Sequence, residues 1–487
     1  MQHTDVSSKA QKEPSLLVSL IPVALLVILL TLNVIIFKDD SSYGPNQIAL
    51  LITSMLCAFI GVFHLKRPYK EFEQKALASV SVSTQAILIL MIVGSLIGIW
   101  ILNGVVPTMI YYGIKLISPE AFLPISLIIC SIVSVATGSS WSTAGTVGIA
   151  LIGIGKALGI PEGMVAGAIV SGAYFGDKMS PLSDTTNLAP AMAGSDLFSH
   201  IRHMVYTTGP TIIITFIIFL VLGLSYSGDS LNDSQIQEVL TIISRNFNIS
   251  LWLFLLPLIV IVLVMKKVAA VPALVIGTLL GAVFALIFQG ELISKLAGGD
   301  WSFTSIYKVL LKTSFSGFEI ESGNKMIDKL FSRGGMSGMM NTVWMILMAM
   351  IFGGMMEVTG MLNTIATSIL KLVKGTTSLV AATVGSGIFL NLTTSDQYIA
   401  IVVTGRMFKS AFEKFGLKPK NLSRAVEDGG TVTSVLIPWN TCGAYFSTVL
   451  GVATMTYLPF AFFNLISPIM SIAVAASGKT MERIDEE

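Results

Sequence analysis

Long stretches without a single charged residue limit what this chain can fold into. Stretches of this kind run over residues 14–37, 76–114, 121–155, 203–228, 246–265, 268–290, 334–356, 375–395 and 429–478. Because an α-helix needs about 20 apolar residues to cross roughly 30 Å of hydrocarbon, each stretch is long enough for a span. The longest ones are long enough for two. The sequence therefore predicts an all-α polytopic membrane protein with roughly 12 to 14 spans.

The composition excludes several classes of function. Of the 487 residues, 53% are hydrophobic and 12% are charged, whereas a soluble domain has about 25% charged residues. A formal net charge of +2 offers no basic patch, so we expect no nucleic-acid partner. The sequence has no Gly-rich lysine loop for ATP, and its four histidines form no catalytic or metal-binding arrangement with nearby acids. We therefore expect neither an enzyme nor a cofactor.

Positive charges set the expected orientation in the membrane. Lys66, Arg67, Lys70 and Lys75 follow the second apolar segment, and short loops rich in Lys and Arg face the cytoplasm. This places the N-terminus in the cytoplasm. The segment 15–37 is too long for the apolar core of a signal peptide, so we interpret it as an uncleaved span. The expected location is the bacterial inner (cytoplasmic) membrane, in contact with its lipids.

The chain contains an internal repeat. Gly159 aligns with Gly416, an offset of 257 residues, and no gap is required. The same offset superposes the pairs Thr137/Thr394, Gly148/Gly405, Ala168/Ala425, Gly172/Gly429 and Pro181/Pro438. The loop 156–162 is nearly neutral, whereas its partner 414–420 is basic, which indicates opposite membrane faces. The pattern predicts two inverted repeats, an arrangement that cradles the substrate in many transporters.

Each repeat contains two polar interruptions in otherwise apolar sequence. They cover residues 137–143 and 176–187 in the first copy and residues 391–397 and 437–443 in the second. Pro181 and Pro438 each remove a backbone donor and are expected to break a helix. Free carbonyls at membrane depth persist only where they line a cavity or bind an ion. Together with hydroxyl, amide and carboxylate oxygens they suit Na⁺, which is a hard cation.

Two aspartates flank the first proline. An unwound segment at Pro181 allows Asp177 and Asp184 to face one site. A carboxylate removed from water favours either a proton or a bound cation, and competition between the two produces antiport. The alternative is structural, with Asp177 paired to Lys178 and Asp184 capping the next helix.

Three further acids are candidates. Asp396 follows a run of hydroxyl residues and is either a helix N-cap or an ion ligand. Asp428 follows Glu427 at the expected cytoplasmic mouth, and we interpret Asp428 as a proton carrier alongside the two aspartates of the first copy. Glu357 ends an uncharged run, where an interfacial position and a proton-carrying position are equally compatible with the sequence.

The segment from Gly172 to Ala189 reads Gly-Ala-Tyr-Phe-Gly-Asp-Lys-Met-Ser-Pro-Leu-Ser-Asp-Thr-Thr-Asn-Leu-Ala and closely resembles the signature of NhaC-type Na⁺/H⁺ antiporters. The resemblance covers most of the chain, including the interruptions at 137–143 and 437–443. It implies the architecture of the ion transporter superfamily, in which two inverted repeats each carry a re-entrant hairpin and a broken transmembrane helix. The four interruptions are assigned to these four elements.

The resemblance also implies site residues. The motif positions implied in ion binding are Asp177, Ser180, Asp184, Thr185 and Asn187. Repeat symmetry adds Thr394, Ser395, Asp396, Asn440 and Thr441. Ser434 and Thr441 stand where the second copy would have Asp177 and Asp184, so the resemblance implies an asymmetric site.

By analogy with elevator transporters, a transport domain slides against a scaffold that forms the interface of a homodimer. The expected segments are a cytoplasmic tail 1–14, scaffold spans 15–120, a first transport element 121–200, scaffold spans 201–374, a second transport element 375–455, and a last span with tail 456–487. Within the scaffold, residues 291–337 fit either an amphipathic interfacial helix or an ordered external loop.

The expected function is the exchange of Na⁺, and also Li⁺, for H⁺ by alternating access. The alternative is a Na⁺- and H⁺-coupled exchanger of small organic acids of the malate/lactate type, or another Na⁺-coupled solute transporter. An organic anion requires a cationic partner near the break, and Lys178 is the candidate inside the motif. A channel is disfavoured, because the chain lacks a repeated selectivity-filter segment.

Overall fold

The computed structural model describes residues 13–37, 41, 43–225 and 233–484. Most of the predicted tail 1–14 and the linker at 226–232 therefore lie outside the described residues. Within the described part, the structure is helical, with two isolated β-bridges that join Phe318 to Arg333 and Leu417 to Arg483. The second bridge holds the tail after the last helix against the turn at Gly416. The expectation of an all-α fold is confirmed.

The helices before the centre of the chain fall into two groups. The first group is α1 (Leu16–Phe37), α2 (Pro45–Phe59), α3 (Tyr69–Val82), α4 (Thr84–Leu102) and α5 (Val105–Leu116). The second group contains the first pair of polar interruptions and is α6 (Pro119–Thr137), α7 (Ser140–Thr143), α8 (Ile149–Ala157), α9 (Glu162–Met179) and α10 (Asp184–Ala193). A π-helical turn, Ala144–Gly148, joins α7 to α8.

The remaining helices also form one group without polar interruptions and one group with them. The central group is α11 (Leu197–Ser225), α12 (Asp233–Asn246), α13 (Leu255–Met265), α14 (Ala270–Phe288), α15 (Gly290–Leu296), α16 (Phe303–Ser316), α17 (Lys325–Phe331), α18 (Met340–Val358) and α19 (Met361–Leu370). The last group is α20 (Thr376–Thr394), α21 (Gln397–Lys414), α22 (Pro419–Val426), α23 (Thr441–Leu450), α24 (Thr454–Tyr457) and α25 (Phe462–Ser477). A π-helical segment, Glu427–Thr431, continues α22.

Eight described helices are long and apolar enough to cross a membrane, and ten result if two bent helix pairs each count as one span. The predicted span at 15–37 is among them, as α1. The number is below the 12 to 14 expected from the sequence. The interrupted segments explain the difference, because α8, α10 and α23 contain only 9 or 10 residues each. The structure is that of a polytopic helical membrane protein.

The boundaries of the helices recur at the offset of 257 residues. The helices α6 and α20 both end in a residue with a left-handed backbone, Gly138 with φ 68° and Ser395 with φ 58°. The next residues, Ser139 and Asp396, cap the returning helices with their side chains. Each copy therefore forms a tight helical hairpin at its first interruption.

The second interruptions also match in their backbone. Helix α9 ends at Met179, and α10 begins at Asp184 after a break of four residues that ends in the cap residue Ser183. In the second copy the cap residue Asn440 precedes α23. Ser183 and Asn440 are again separated by the same offset. The prediction that Pro181 and Pro438 interrupt helices is confirmed.

Small residues hold the first hairpin close to the first broken helix. A Cβ atom added to Gly172 would overlap the carbonyl oxygen of Leu127, and one added to Gly176 would lie 2.5 Å from that of Ser131. Helices can approach this closely only where one of them lacks side chains at the contact. The glycines of the motif therefore fix α9 against α6.

The segment 291–337 combines helices with an ordered loop. Its longest helix, α16, packs against α4, where the Ser95 hydroxyl donates to the carbonyl of Ser314 at 2.8 Å. The following loop returns to the same helix, because the amide of Gly335 donates to the carbonyl of Gly94 at 2.7 Å. Neither of the two alternatives raised by the sequence describes the whole segment.

Candidate ion-binding site

In each copy the hairpin tip contacts the helix break. The Ser180 hydroxyl of the first break donates to the carbonyl of Val135 at 2.8 Å, and a Cβ atom at Gly138 would overlap Leu182. In the second copy the amide of Thr441 donates to the carbonyl of Ser395 at 2.9 Å. The polar residues predicted from the interruptions are therefore brought together in space.

Asp177 lies in the last turn of α9 and is buried, with 7% of its surface exposed. One of its oxygens, Oδ2, accepts hydrogen bonds from the Ser140 amide at 3.1 Å and from the Ser140 hydroxyl at 2.6 Å. Both donors belong to the hairpin tip. The structural alternative is wrong for this residue, because Lys178 pairs with Asp428 instead of Asp177.

Asp184 is the first residue of α10 and is exposed at the break. The cap of α10 is its neighbour Ser183, whose hydroxyl accepts from the Thr186 amide at 3.4 Å. The alternative that Asp184 caps this helix is therefore wrong as well. An exposed carboxylate that does not cap a helix can receive a cation from solvent.

The other polar residues of the first motif shape the break. The Thr186 hydroxyl lies 3.1 Å from the carbonyl oxygens of both Asp177 and Lys178, which end α9. The Asn187 amide donates to the carbonyls of Pro181 at 2.9 Å and Ser183 at 2.7 Å. Thr185 is buried, with its hydroxyl 3.1 Å from that of Ser183. Asn187 thus uses its amide group to satisfy carbonyls that the broken helix would otherwise leave free.

Asp396 is the helix N-cap that the sequence offered as one alternative, and it also faces the second break. It is buried and caps α21, since its Oδ1 accepts from the Ile399 amide at 3.0 Å. Its other oxygen, Oδ2, faces the Thr441 hydroxyl of the second break at 3.5 Å. The carboxylate therefore connects the second hairpin tip to the second break.

The neighbouring polar residues of the second copy are held by the protein. The Asn440 amide group lies 3.2 Å from the side-chain oxygen and from the carbonyl of Asn391. Asn440 also caps α23 by accepting from the Cys442 amide at 3.0 Å. The Thr394 hydroxyl donates to the carbonyl of Leu390 at 2.8 Å within its own helix. These side chains order the second break.

The two copies contact each other directly. The rings of Trp141 and Tyr445 stack with centroids 4.0 Å apart, and the Tyr445 hydroxyl donates to the Trp141 carbonyl at 2.9 Å. The hydroxyls of Tyr174 and Ser434 lie 3.2 Å apart. The first hairpin and the first broken helix therefore both contact the broken helix of the second copy.

Two of the predicted proton carriers lie elsewhere. Asp428 was expected at the cytoplasmic mouth, but it is fully buried and forms an ion pair with Lys178, because α9 and α25 cover it. Glu357 lies on α18 and pairs with Lys75 at 2.5 Å, with 44% of its side chain exposed. The structure does not bring Glu357 to the helix breaks.

Some residues of the site were missed in the sequence. Ser140 holds Asp177, and at the same offset Gln397 faces Ser434 at 3.3 Å. The repeat offset relates Ser140 to Gln397 and Asp177 to Ser434. The offset could therefore have identified Ser140 and Gln397 from the sequence. Among the described residues, no group of three or more His, Cys, Asp or Glu side chains is arranged to hold a metal ion. A cation here would depend on hydroxyl and carbonyl oxygens as well as carboxylates.

The sequence is similar to known antiporters over most of its length. The model of the Na⁺/H⁺ antiporter family matches residues 172–479. The Na⁺/H⁺ antiporter NhaC of Alkalihalophilus pseudofirmus is 41% identical, over 88% of this chain and 89% of that protein. The malate-2H⁺/Na⁺-lactate antiporter of Bacillus subtilis is 38% identical, over 89% and 90% of the two chains.

Similarity to solved structures is more distant. The structure of MtrF from Neisseria gonorrhoeae aligns with 93% of this chain and 94% of its own, at 13% identity and a TM-score of 0.39. Membership of a family rests instead on the sequence matches, since the family model covers residues 172–479 with both helix breaks and the NhaC relative covers 88% of the chain. The chain belongs to the Na⁺/H⁺ antiporter family.

Proposed function

We propose that this protein exchanges Na⁺, and also Li⁺, for H⁺ across the inner membrane by alternating access. The observation that carries the proposal is the position of Asp177 and Asp184 on the two sides of one helix break, against a polar hairpin tip. Carboxylates at such a break bind a cation or a proton, but not both together. The relatives named as Na⁺/H⁺ antiporters support the same function.

In this proposal Asp177 and Asp184 supply the charge that binds Na⁺ and release a proton when it arrives. Thr185 adds a neutral hydroxyl oxygen, whereas Ser180 and Asn187 keep the break open by bonding backbone groups. The second copy contributes through Asp396, supported by Thr394, Ser395, Asn440 and Thr441. The distribution of acids is unequal, so the proposed site is asymmetric.

The proposed architecture is that of two inverted repeats, each with a re-entrant hairpin and a broken helix. The recurrence of turn, cap and break positions at one offset supports it. We further propose a cytoplasmic N-terminus, a scaffold of residues 15–120 and 201–374 that forms a homodimer, and a moving part of residues 121–200 and 375–455. The charged loop 414–420 supports the orientation.

The second candidate function is the exchange of organic acids, which one relative's name describes. An organic anion requires an uncompensated cation at the site. Lys178 was the candidate, and its ammonium is paired with the Asp428 carboxylate in the interior. This pairing favours a site for inorganic cations.

The test uses purified protein in liposomes that contain a pH-sensitive dye. We expect Na⁺ and Li⁺, but not K⁺, to drive proton flux without any organic acid. Asp184→Asn, which keeps the shape and removes the charge, should reduce the flux to the level of protein-free vesicles. Glu413→Gln is the matched control, because Glu413 is an exposed acid on α21. Flux that requires malate or lactate would replace the proposal with the organic-acid exchanger.

A further inference from the structure

A pair of acids lies inside the protein, outside the helix breaks. Glu427 and Asp428 belong to the π-helical segment after α22, and both have a relative exposure of 0%. In the described part of the chain, neither carboxylate oxygen of Glu427 has a hydrogen-bond partner of normal geometry, although the Thr431 hydroxyl is near, and Oδ2 of Asp428 has none either. Buried carboxylates without donors are rare in native proteins and require an explanation.

Glu427 has no ion-pair partner of its own among the described residues. Lys178 is equally buried and forms an ion pair with Oδ1 of Asp428, which also accepts from the Ser467 hydroxyl at 2.8 Å. The buried guanidinium of Arg424 bonds the Thr480 hydroxyl and the Met481 sulfur instead of Glu427. A charged carboxylate in the interior is very unfavourable without a partner of its own. The neutral, protonated form of Glu427 is therefore favoured in this conformation.

The repeated fold does not require acids at these positions. At the offset of 257 residues, Val170 and Ser171 of α9 correspond to Glu427 and Asp428. In the first copy these positions lie in a regular α-helix, whereas the second copy forms a π-helical segment. Such segments occur frequently at functional sites and displace side chains from their regular positions. The acidic pair is thus an addition to the second copy.

The pair lies close to the proposed sodium site. Lys178 directly follows Asp177 in α9 and forms the ion pair with Asp428, which is the neighbour of Glu427. A negative Asp177 disfavours a negative Glu427, and a cation bound to Asp177 removes that repulsion. Binding of Na⁺ therefore favours release of the proton from Glu427. The coupling needs no contact between the two carboxyl groups.

The helices that pack around the π-helical segment carry other ionisable groups. The helices α20 and α25 pack against the π-helical segment and carry no ionisable side chain. The remaining packed helices are α10, α21 and α22, and their ionisable residues are Asp184, Tyr398, Arg406, Lys409, Glu413, Lys414, Lys420 and Arg424. Glu427 is the fully buried acid of this neighbourhood whose two oxygens both lack a donor.

We propose that Glu427 binds a second transported proton, in addition to the one displaced by Na⁺ at Asp177 and Asp184. The proton leaves Glu427 to the solvent on the side where Na⁺ binds and returns from the solvent on the opposite side after Na⁺ is released. Lys178 and Asp428 keep their ion pair throughout and hold the π-helical segment in place. This inference rests on the proposed Na⁺/H⁺ exchange and assigns its stoichiometry.

The experiment measures the number of protons exchanged per Na⁺. Liposomes with the membrane potential clamped to zero are given a fixed Na⁺ gradient, and the pH difference that stops net flux is determined. For a tenfold gradient we expect balance at about 0.5 pH unit in the wild type and at about 1 pH unit in Glu427→Gln, because the balance point depends inversely on the number of protons. Gln reproduces the shape of the neutral acid. Glu413→Gln serves as the matched control.

The outcomes separate the inference from the function on which it rests. A wild type without Na⁺-driven proton flux contradicts the proposed function itself. A wild type that balances near 1 pH unit, or an unchanged balance point in Glu427→Gln, overturns only the second proton. If Glu427→Gln shows no proton flux, the exchange of ²²Na⁺ inside the liposomes for unlabelled Na⁺ outside is measured as a second test of the proposal. Retained exchange supports the proposal, because that half of the cycle needs no proton, and its loss overturns the proposal.

Discussion

At the scale of single residues, the buried ion pair of Lys178 and Asp428 is the contact that the sequence predicted least well. The two residues are 250 positions apart and belong to different copies. No local pattern could pair them, because the contact depends on how α9 packs beside the π-helical segment. The sequence did identify both residues as functional candidates, but it offered Asp177 as the partner of Lys178. Asp428 became evident as the partner of Lys178 only from the fold.

The ion pair makes a prediction about stability. Lys178→Met leaves a buried carboxylate without its counter-ion, and Asp428→Asn leaves a buried ammonium, so each should cost about 3 kcal/mol of unfolding free energy. The double variant Lys178→Met/Asp428→Asn removes both charges and should cost much less than the sum. The measurement is the unfolding free energy of the wild type and the three variants, from a mixed detergent titration followed by circular dichroism.

The control for this prediction is the exposed pair of Lys75 and Glu357. Neutralising either member should change stability by less than about 1 kcal/mol, because surface pairs contribute little. Additive costs in the double variant Lys178→Met/Asp428→Asn would show that the two buried side chains act independently.

At the scale of helices and turns, the sequence was most informative. Two prolines and one repeat offset located the hairpin tips and both helix breaks within a few residues. The physical reason is local: proline cannot donate a backbone hydrogen bond, and polar residues in an apolar stretch need partners. The π-helical geometry after α22 was not foreseen, since it follows from packing rather than from residue type. The structure of the segment 291–337 was ambiguous from the sequence for the same reason, because it also depends on packing.

The hairpin turns give a second prediction through a matched pair of substitutions. Gly138 and Ser395 both have left-handed backbones, but only Gly138 lacks a Cβ atom. Gly138→Ala should cost about 1–2 kcal/mol for its backbone alone, and more because the new Cβ atom meets Leu182. Ser395→Gly should be neutral or stabilising. The thermal midpoint and Na⁺-driven flux of both variants are the measurements.

Equal tolerance of the two substitutions would contradict this account of the tips. In particular, a fully stable Gly138→Ala would mean that the first tip readily moves away from Leu182. The stability of Gly138→Ala therefore also measures how tightly the first hairpin packs against the first break.

At the scale of the whole molecule, the proposed motion requires the scaffold and the transport elements to separate. Thr342 of α18 and Thr448 of α23 have their hydroxyl oxygens 2.5 Å apart, and they belong to the two different parts. Side chains in such contact are suitable positions for a disulfide. The natural cysteines, Cys57, Cys130 and Cys442, are all buried.

The third prediction uses this contact. In the variant Thr342→Cys/Thr448→Cys, oxidation should stop Na⁺-driven flux and a reducing agent should restore it. The control is Asn33→Cys/Asn46→Cys, whose native side chains are 3.2 Å apart within the scaffold. Oxidation of the control should leave the flux unchanged. Undiminished transport by the oxidised Thr342→Cys/Thr448→Cys protein would show that these two parts do not move relative to each other.

The stacked rings of Trp141 and Tyr445 have a consequence for how the protein unfolds. Each ring belongs to a different copy, and the Tyr445 hydroxyl also bonds the backbone beside its partner. Neither copy can lose its structure without exposing an aromatic surface of the other. The two copies should therefore melt in one cooperative transition, although Trp141 and Tyr445 are 304 positions apart in the chain. In that case the two proposed repeats would form a single folding unit and not two independent domains.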